Sequence, residues 1–385
     1  MKKIAVFPGV FLTGGVESVI MNILEKSNSD EYSYDFFVPR PYDIALDSKL
    51  VKYHSKFIQI PQISEVGVIK YIKKVSKILK STDKYDIIHV HSIHSGVLSS
   101  IAGFVAGIKQ RVYHVHNTDD PSLNTIKFKK IYRAVMKFLI NKFNNTYVAC
   151  GEQASKYIYY KRKIKKSKVF IFNNSIDLHK FYPISISDFK KRKEQSTNEK
   201  LIIGNAARFT PVKNQKFLIN LANEINKEID CELMLAGDGE TIDECKELSK
   251  QYNLQNKVNF LGVITDMKLF FDKIDVFVLP SFHEGLPVSI IEAQACGVPS
   301  LLSDTITSEV DFKLNLVDYE SLDSSLNNWK DKIYNLSKKR IFDFETIKNR
   351  FDELNYNLDN MQIQIEKMYS NRKRVEFYDK NISNK

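Results

Sequence analysis

The chain has 385 residues, 43% of them hydrophobic and 12% aromatic, with a net charge of +11 and four cysteines. That supplies enough apolar material for two ordinary domains with their own cores, and it excludes a disordered polyelectrolyte. Cys150, Cys231, Cys245 and Cys296 are scattered with no C-x-x-C pair. Three lie in apolar surroundings, so buried free thiols in a reducing cytoplasm are expected.

The N-terminal run "MKKIAVFPGVFLTGG" begins like a secretion signal, but Pro8-Gly9 breaks it and no small-residue cleavage site follows. It reads as a first strand and its loop. Strand-like runs at 4–7, 35–38, 86–90, 111–114 and 146–149 alternate with helical patterns at 16–26, 69–79, 97–106 and 124–143. This is the βα alternation of a parallel sheet covered on both faces. The least polar stretch, 96–108, is too short for a bilayer core of about 30 Å, so no spanning segment is expected.

A polar stretch at 185–200, containing "KKRKEQSTNEK", reads as a linker. Strands at 201–206, 232–236, 258–261, 276–279 and 300–302 and helices at 214–225, 242–252 and 287–295 follow. The last helical pattern covers 347–369. The expected fold is α/β: two Rossmann-like, doubly wound domains facing a central cleft at the carboxyl ends of their strands, where such folds bind ligands. The expected boundaries are 1–184, a linker at 185–200, 201–345, and a helical tail from 346.

Residues 1–195 carry 33 Lys+Arg against 16 Asp+Glu, and the remainder 24 against 30, so the basic character belongs to the N-terminal half. Its densest parts are "IKFKKIYRAVMKFLINK" (126–142) and "KRKIKKSK" (161–168). A solvated cationic face is one reading. The other is docking on anionic lipid, because Ile126, Ile131, Val135, Phe138 and Leu139 recur at helical spacing between the lysines. No reader module for nucleic acid is present, and none is expected as a partner.

The stretch "LPSFHEGLPVSIIEAQACGVPSLLSD" places Glu284 in a loop after a strand and Glu292 inside the next helix. Pro287 fits the first helical position, where its missing N–H costs nothing. The N–H groups of Leu286, Val288 and Ser289 would then face outward at the positive end of the helix dipole, an anion site. Two carboxylates flanking such a site suit hydroxyl groups on both sides of a diphosphate, as a nucleotide sugar presents them. In "NAARFTPVKNQKFL", Arg208 follows a strand and Lys213 opens a helix. Together they can stabilise charge on a departing diphosphate. There is no Asp-x-Asp pair to grip a metal–diphosphate complex, so no metal or other cofactor is expected. Taken singly, each charge reads equally as surface or cap. His89, His91, His94, His114 and His116, clustered at two strand ends, read singly as packed or capping side chains.

At these residues the sequence resembles the retaining glycosyltransferases of family four, which have the GT-B architecture of two Rossmann-like domains. The hallmark, two glutamates separated by seven residues, is matched by "EGLPVSIIE" (284–292). "TGGVESVIMNIL", "IIHVHSIHSG", "VYHVHNTDD", "IFNNSIDLHKFYP", "GDGE" and "VNFLG" also match, across nearly the whole chain. The stretch from Glu284 to Val310 is most similar to the bacterial enzymes of capsule and exopolysaccharide synthesis.

The resemblance implies that Arg208 and Lys213 hold the diphosphate, Glu284 the donor-sugar hydroxyls and Glu292 the ribose. It places Gly237 of "GDGE", Leu286 and Val288 at the donor site and His116 near the transferred sugar. Gly14 and Gly15 would let the first loop approach the phosphates. It also implies a C-terminal helix crossing back to the N-terminal domain. Two departures stand out. Ala207 precedes Arg208 where the family often has glycine, and Asn173-Asn174 replaces Asn-Gly.

The expected activity is a cytoplasmic, metal-independent, retaining hexosyltransferase, peripheral on the inner face of the cell membrane. Its donor would be a UDP-sugar and its acceptor a lipid-linked saccharide. A sugar-nucleotide epimerase on the same fold and a non-catalytic partner subunit are the alternatives.

Overall fold

In the computed structural model the described residues are 1–9, 15–39, 50, 52–81, 84–92, 94–116, 128–166, 168–195 and 200–370. The apolar runs make two all-parallel sheets. The first has seven strands: β1 (Lys2–Phe7), β2 (Tyr32–Val38), β3 (Lys56–Gln59), β4 (Ile87–Val90), β5 (Gln110–Val115), β6 (Thr146–Ala149) and β7 (Val169–Ile171). Their order is β3-β2-β1-β4-β5-β6-β7. The second has six: β8 (Leu201–Ala206), β9 (Cys231–Ala236), β10 (Val258–Gly262), β11 (Val276–Leu279), β12 (Ser300–Ser303) and β13 (Val317–Glu320), in the order β10-β9-β8-β11-β12-β13. In β4, β11 and β12 every residue is buried, as central strands require when helices cover both faces.

Each sheet reverses its strand order once, between β1 and β4 in the first and between β8 and β11 in the second. The loops leaving such a neighbouring pair diverge to opposite faces and open a crevice at their carboxyl ends. Arg208 and Lys213 follow β8, and Glu284 follows β11, so the predicted residues flank the reversal of the second sheet.

The chain divides into two compact units, one of residues 1–175 with the segment from Leu358 onward, the other Ile176–Asn357. These boundaries differ from the expected 184 and 345. The stretch read as a linker mostly forms the helix Ile186–Gln195 of the second unit. Lys190 and Lys191 are exposed, but Arg192 Nη2 and Lys193 Nζ each lie 2.6 Å from the buried carboxylate of Asp275, which also accepts the Ile202 N–H at 2.9 Å. A lysine-rich helix looks like a linker when its counter-charge sits some 80 residues away.

The expected tail helix is two helices, Phe344–Glu353 and Met361–Tyr369, with Asn355 in the left-handed region between them. The second of these does cross back. Leu358, Met361, Ile365, Met368 and Tyr369 join Ile4, Val6, Ile20 and Ile87 in the core of the first unit. All four cysteines are buried free thiols. Among the described residues no helix is long and apolar enough to cross a membrane.

Candidate active site

The end of β8 is held by backbone bonds from the Ala207 N–H to the Ala236 carbonyl (3.0 Å) and from the Phe209 N–H to the Asp238 carbonyl (2.9 Å). Gly237 has φ +132°, and a Cβ there would stand 2.1 Å from the Ala207 carbonyl oxygen. Only glycine allows the loop after β9 to lie this close to the segment carrying Arg208. Ala207, the departure from the family pattern, is half-buried in this contact. Arg208 is exposed, and its guanidinium makes no hydrogen bond or ion pair among the described residues.

Beyond it, the 3₁₀ turn Pro211–Lys213 ends on Asn214, whose φ of 56° is left-handed, a conformation asparagine tolerates. Asn214 Nδ2 donates to the Pro280 carbonyl at 3.2 Å, and the Phe282 N–H donates to the Val212 carbonyl at 2.8 Å. These two bonds tie the loop after β8 to the loop after β11. They bring Lys213 Nζ to 2.6 and 2.7 Å from the two oxygens of Glu284. Ser281 Oγ donates to Glu284 Oε1 at 2.7 Å. The Glu284 side chain is 8% exposed and that of Lys213 25%.

The next helix is Val288–Ala295, with Pro287 (φ −68°) as its N-cap, so the proline precedes the first helical position it was expected to occupy. The backbone N–H groups of Leu286, Val288 and Ser289 have no hydrogen-bond partner among the described residues. N–H groups left unpaired at the positive end of a helix dipole suit an anion. Glu292 stands one turn further in. Burial pushes its carboxyl up to about 7, against a smaller pull downward from the Lys180 ammonium. The carboxyl accepts no hydrogen bond among the described residues.

The structure thus brings Lys213 and Glu284 into contact and sets Arg208, Gly237, Leu286, Val288 and Glu292 in the same unit. Gly15 opens the helix Gly15–Lys26 of the first unit, and Gly14 lies outside the described residues. Sequence reasoning missed Ser281, Asn214 and Lys180. The αL tendency of asparagine beside Lys213 was the one available signal.

His116 also belongs to the first unit, just past β5, with Nε2 2.9 Å from His91 Nδ1. His89, His91 and His114 are buried, as read from the sequence. Burial holds the His89 imidazole down to about 3 and that of His116 to about 4, so both are neutral. Among the described residues neither ring nitrogen of His114 has a partner, nor does His89 Nε2. An unpaired buried polar group of this kind costs about 1–3 kcal/mol.

On the same unit the helix Lys129–Phe143 leaves Ile131, Val135 and Phe138 exposed, with Phe128 before it and Lys129, Lys130 and Lys142 exposed around them. Leu139 is half-buried. Ile126 and Lys127 lie outside the described residues.

Residues 13–180 match the family described as Glycosyltransferase Family 4, and residues 186–312 match that described as Glycosyl transferases group 1. EpsF of Bacillus subtilis (strain 168), which carries a glycosyltransferase name, is 32% identical over 89% of this chain and 90% of its own length. The UDP-Gal:alpha-D-GlcNAc-diphosphoundecaprenol alpha-1,3-galactosyltransferase of Escherichia coli is 30% identical over 67% of this chain and 70% of its own. The crystal structure of Anabaena Alr3699/HepE in complex with UDP-glucose superposes with a TM-score of 0.75 at 20% identity, covering 95% of this chain and 99% of that one. The chain therefore belongs to the glycosyltransferases that join a family 4 N-terminal domain to a group 1 C-terminal domain on the GT-B fold.

Proposed function

We propose that this enzyme moves a hexose from a UDP-sugar to a lipid-linked saccharide in capsule or exopolysaccharide assembly, retaining the anomeric configuration and using no metal at the diphosphate. The observation that carries the reading is the Lys213–Glu284 pair, placed at the reversal point of the second sheet beside an uncommitted Arg208 and a helix start with free N–H groups. An ammonium has three donors, so Lys213 can turn one toward a diphosphate oxygen while still orienting Glu284. Glu284 then accepts from the donor-sugar hydroxyls, and Glu292 from the ribose.

As the bond from the anomeric carbon to the diphosphate breaks, negative charge grows on the leaving oxygens. Arg208, Lys213 and the N–H groups at Leu286–Ser289 stabilise it, which is the role a metal ion would otherwise fill. The acceptor hydroxyl attacks the same face of the sugar, and its proton passes to the leaving phosphate oxygen. His116, neutral and held by His91 through Nε2, offers Nδ1 to the transferred sugar as a hydrogen-bonding group and not as an acid. The relative from Escherichia coli, named for a diphosphoundecaprenol-linked acceptor, supports the acceptor class. The UDP-glucose complex of the Anabaena neighbour supports the donor class.

Access to such an acceptor fits peripheral docking on the inner face of the membrane. The exposed stripe of Phe128, Ile131, Val135 and Phe138 would enter the headgroup boundary, with the lysines on anionic lipid. Neutralising Lys129, Lys130 and Lys142 should weaken binding to anionic vesicles and leave binding to neutral ones unchanged. Equal affinity for both vesicle types in the unmodified protein would remove the docking claim.

The site itself is tested with Lys213→Ala and Glu284→Gln, assayed for transfer from UDP-sugars to a polyprenyl-diphosphate saccharide. Losing one positioned donor of this kind costs on the order of 10²–10³ in kcat. Wild-type rates in both variants would refute the assignment. Product analysis without acceptor separates transfer from epimerisation.

A further inference from the structure

We propose that the N-terminal unit holds a buried metal site formed by His89, His91 and His114, which takes a first-row divalent cation of the zinc or cobalt kind. The sheet builds the constellation. β4 and β5 are parallel neighbours in a register that pairs Val90 with Tyr113, so His91 stands beside His114. His89, two residues earlier, shares that face of the sheet. One ligand atom from each of the three lies within 4.8 Å of the others, and all three side chains are buried.

The unused nitrogens point to a ligand. Among the described residues His114 has two ring nitrogens without a partner, and His89 Nε2 has none. The engaged nitrogens supply the outer support that metal-binding histidines use. His89 Nδ1 lies 2.8 Å from Tyr369 Oη, and His91 Nδ1 lies 2.9 Å from His116 Nε2. Ligation through Nε2 of His89 and His91 would leave each Nδ1–H to donate to that neighbour.

The chemistry selects the cation. Three neutral imidazoles with no carboxylate among them suit zinc, cobalt or nickel and disfavour magnesium and calcium. With bonds of about 2.0–2.1 Å, a tetrahedral ion places its ligand nitrogens about 3.3 Å apart. Loading therefore needs the rings to tilt inward from their present spacing. The fourth position is left for a water molecule. The site would tie β4 and β5 to the C-terminal helix through Tyr369, and it is distinct from the metal-free diphosphate grip of the second unit.

The test is a titration of untagged, chelator-treated protein with Co²⁺. The proposal expects one equivalent bound, with the visible absorption bands of tetrahedral cobalt, and displacement by Zn²⁺. His114→Gln should lower the affinity by about 100-fold or more, and Tyr369→Phe, which removes only the outer partner, by roughly 10-fold. The absence of those bands in the wild-type protein would overturn it, as would unchanged affinity in a folded His114→Gln chain. The readout is metal uptake and not transfer, so this inference and the glycosyltransferase reading can fail independently.

Discussion

Glu292 stands one turn into the helix Val288–Ala295 with its carboxyl pushed up to about 7 by burial, against an ordinary value near 4.5. A folded-state value above the unfolded one means that its contribution to stability is full below pH 4.5 and is lost as pH rises through 7. Glu292→Gln should therefore raise Tm at pH 8, by the equivalent of up to about 3 kcal/mol, and change little at pH 4. Binding should move the other way. If ribose hydroxyls donate to the carboxylate, UDP affinity in calorimetry strengthens from pH 6 to pH 8, and the variant loses both affinity and that pH dependence. A flat profile in the wild type would argue against the ribose role. For Lys213, removal takes the counter-charge from a nearly buried Glu284 carboxylate, which costs about 1–3 kcal/mol. Lys213→Ala combined with Glu284→Ala should cost less than the sum of the two single changes, since the pair acts as a unit. Both residues were legible in the sequence through strand–loop–helix spacing. Their contact was not, because it spans 71 positions and needs β8 beside β11.

At the scale of elements, the helix Ile186–Gln195 depends on one carboxylate. Asp275→Ala would take from Arg192 and Lys193 the carboxylate they share and strip the Ile202 N–H of its acceptor. Breaking a buried pair in this way costs about 3–5 kcal/mol, to be read as a shift in the urea midpoint of the fragment 176–357. Gly237→Ala should also destabilise, because its Cβ meets backbone and not a mobile side chain. A stability change below about 0.5 kcal/mol would show that the loop after β9 can move aside. The central strands were readable because burial on both faces leaves an unbroken apolar run. β3, β7 and β13 were not. They are edge strands with few buried residues: polar side chains interrupt β3 and β13, and the apolar run of β7 is only three residues long.

For the whole molecule, the division into two units makes the second separable. Residues 176–357 contain every residue assigned to the diphosphate grip, and as an isolated fragment they should fold and bind UDP. Deleting the chain from Leu358 should instead unfold the first unit. It uncovers five buried side chains, Leu358, Met361, Ile365, Met368 and Tyr369. At about 1.5–3 kcal/mol each they amount to roughly the stability of a whole domain. The two-sheet plan and the returning helix were visible in the alternation and the family motifs. The boundaries were not, because the first unit is closed by a segment from the far end of the chain. Transfer of the proposed kind requires a diphosphate held by Arg208, Lys213 and the start of the helix Val288–Ala295. A crystal structure with UDP tests it most directly. It should show diphosphate oxygens within hydrogen-bond reach, about 2.7–3.2 Å, of both cations and of an N–H between Leu286 and Ser289. A diphosphate bound elsewhere, with Lys213 still closed on Glu284 and Arg208 untouched, would contradict it.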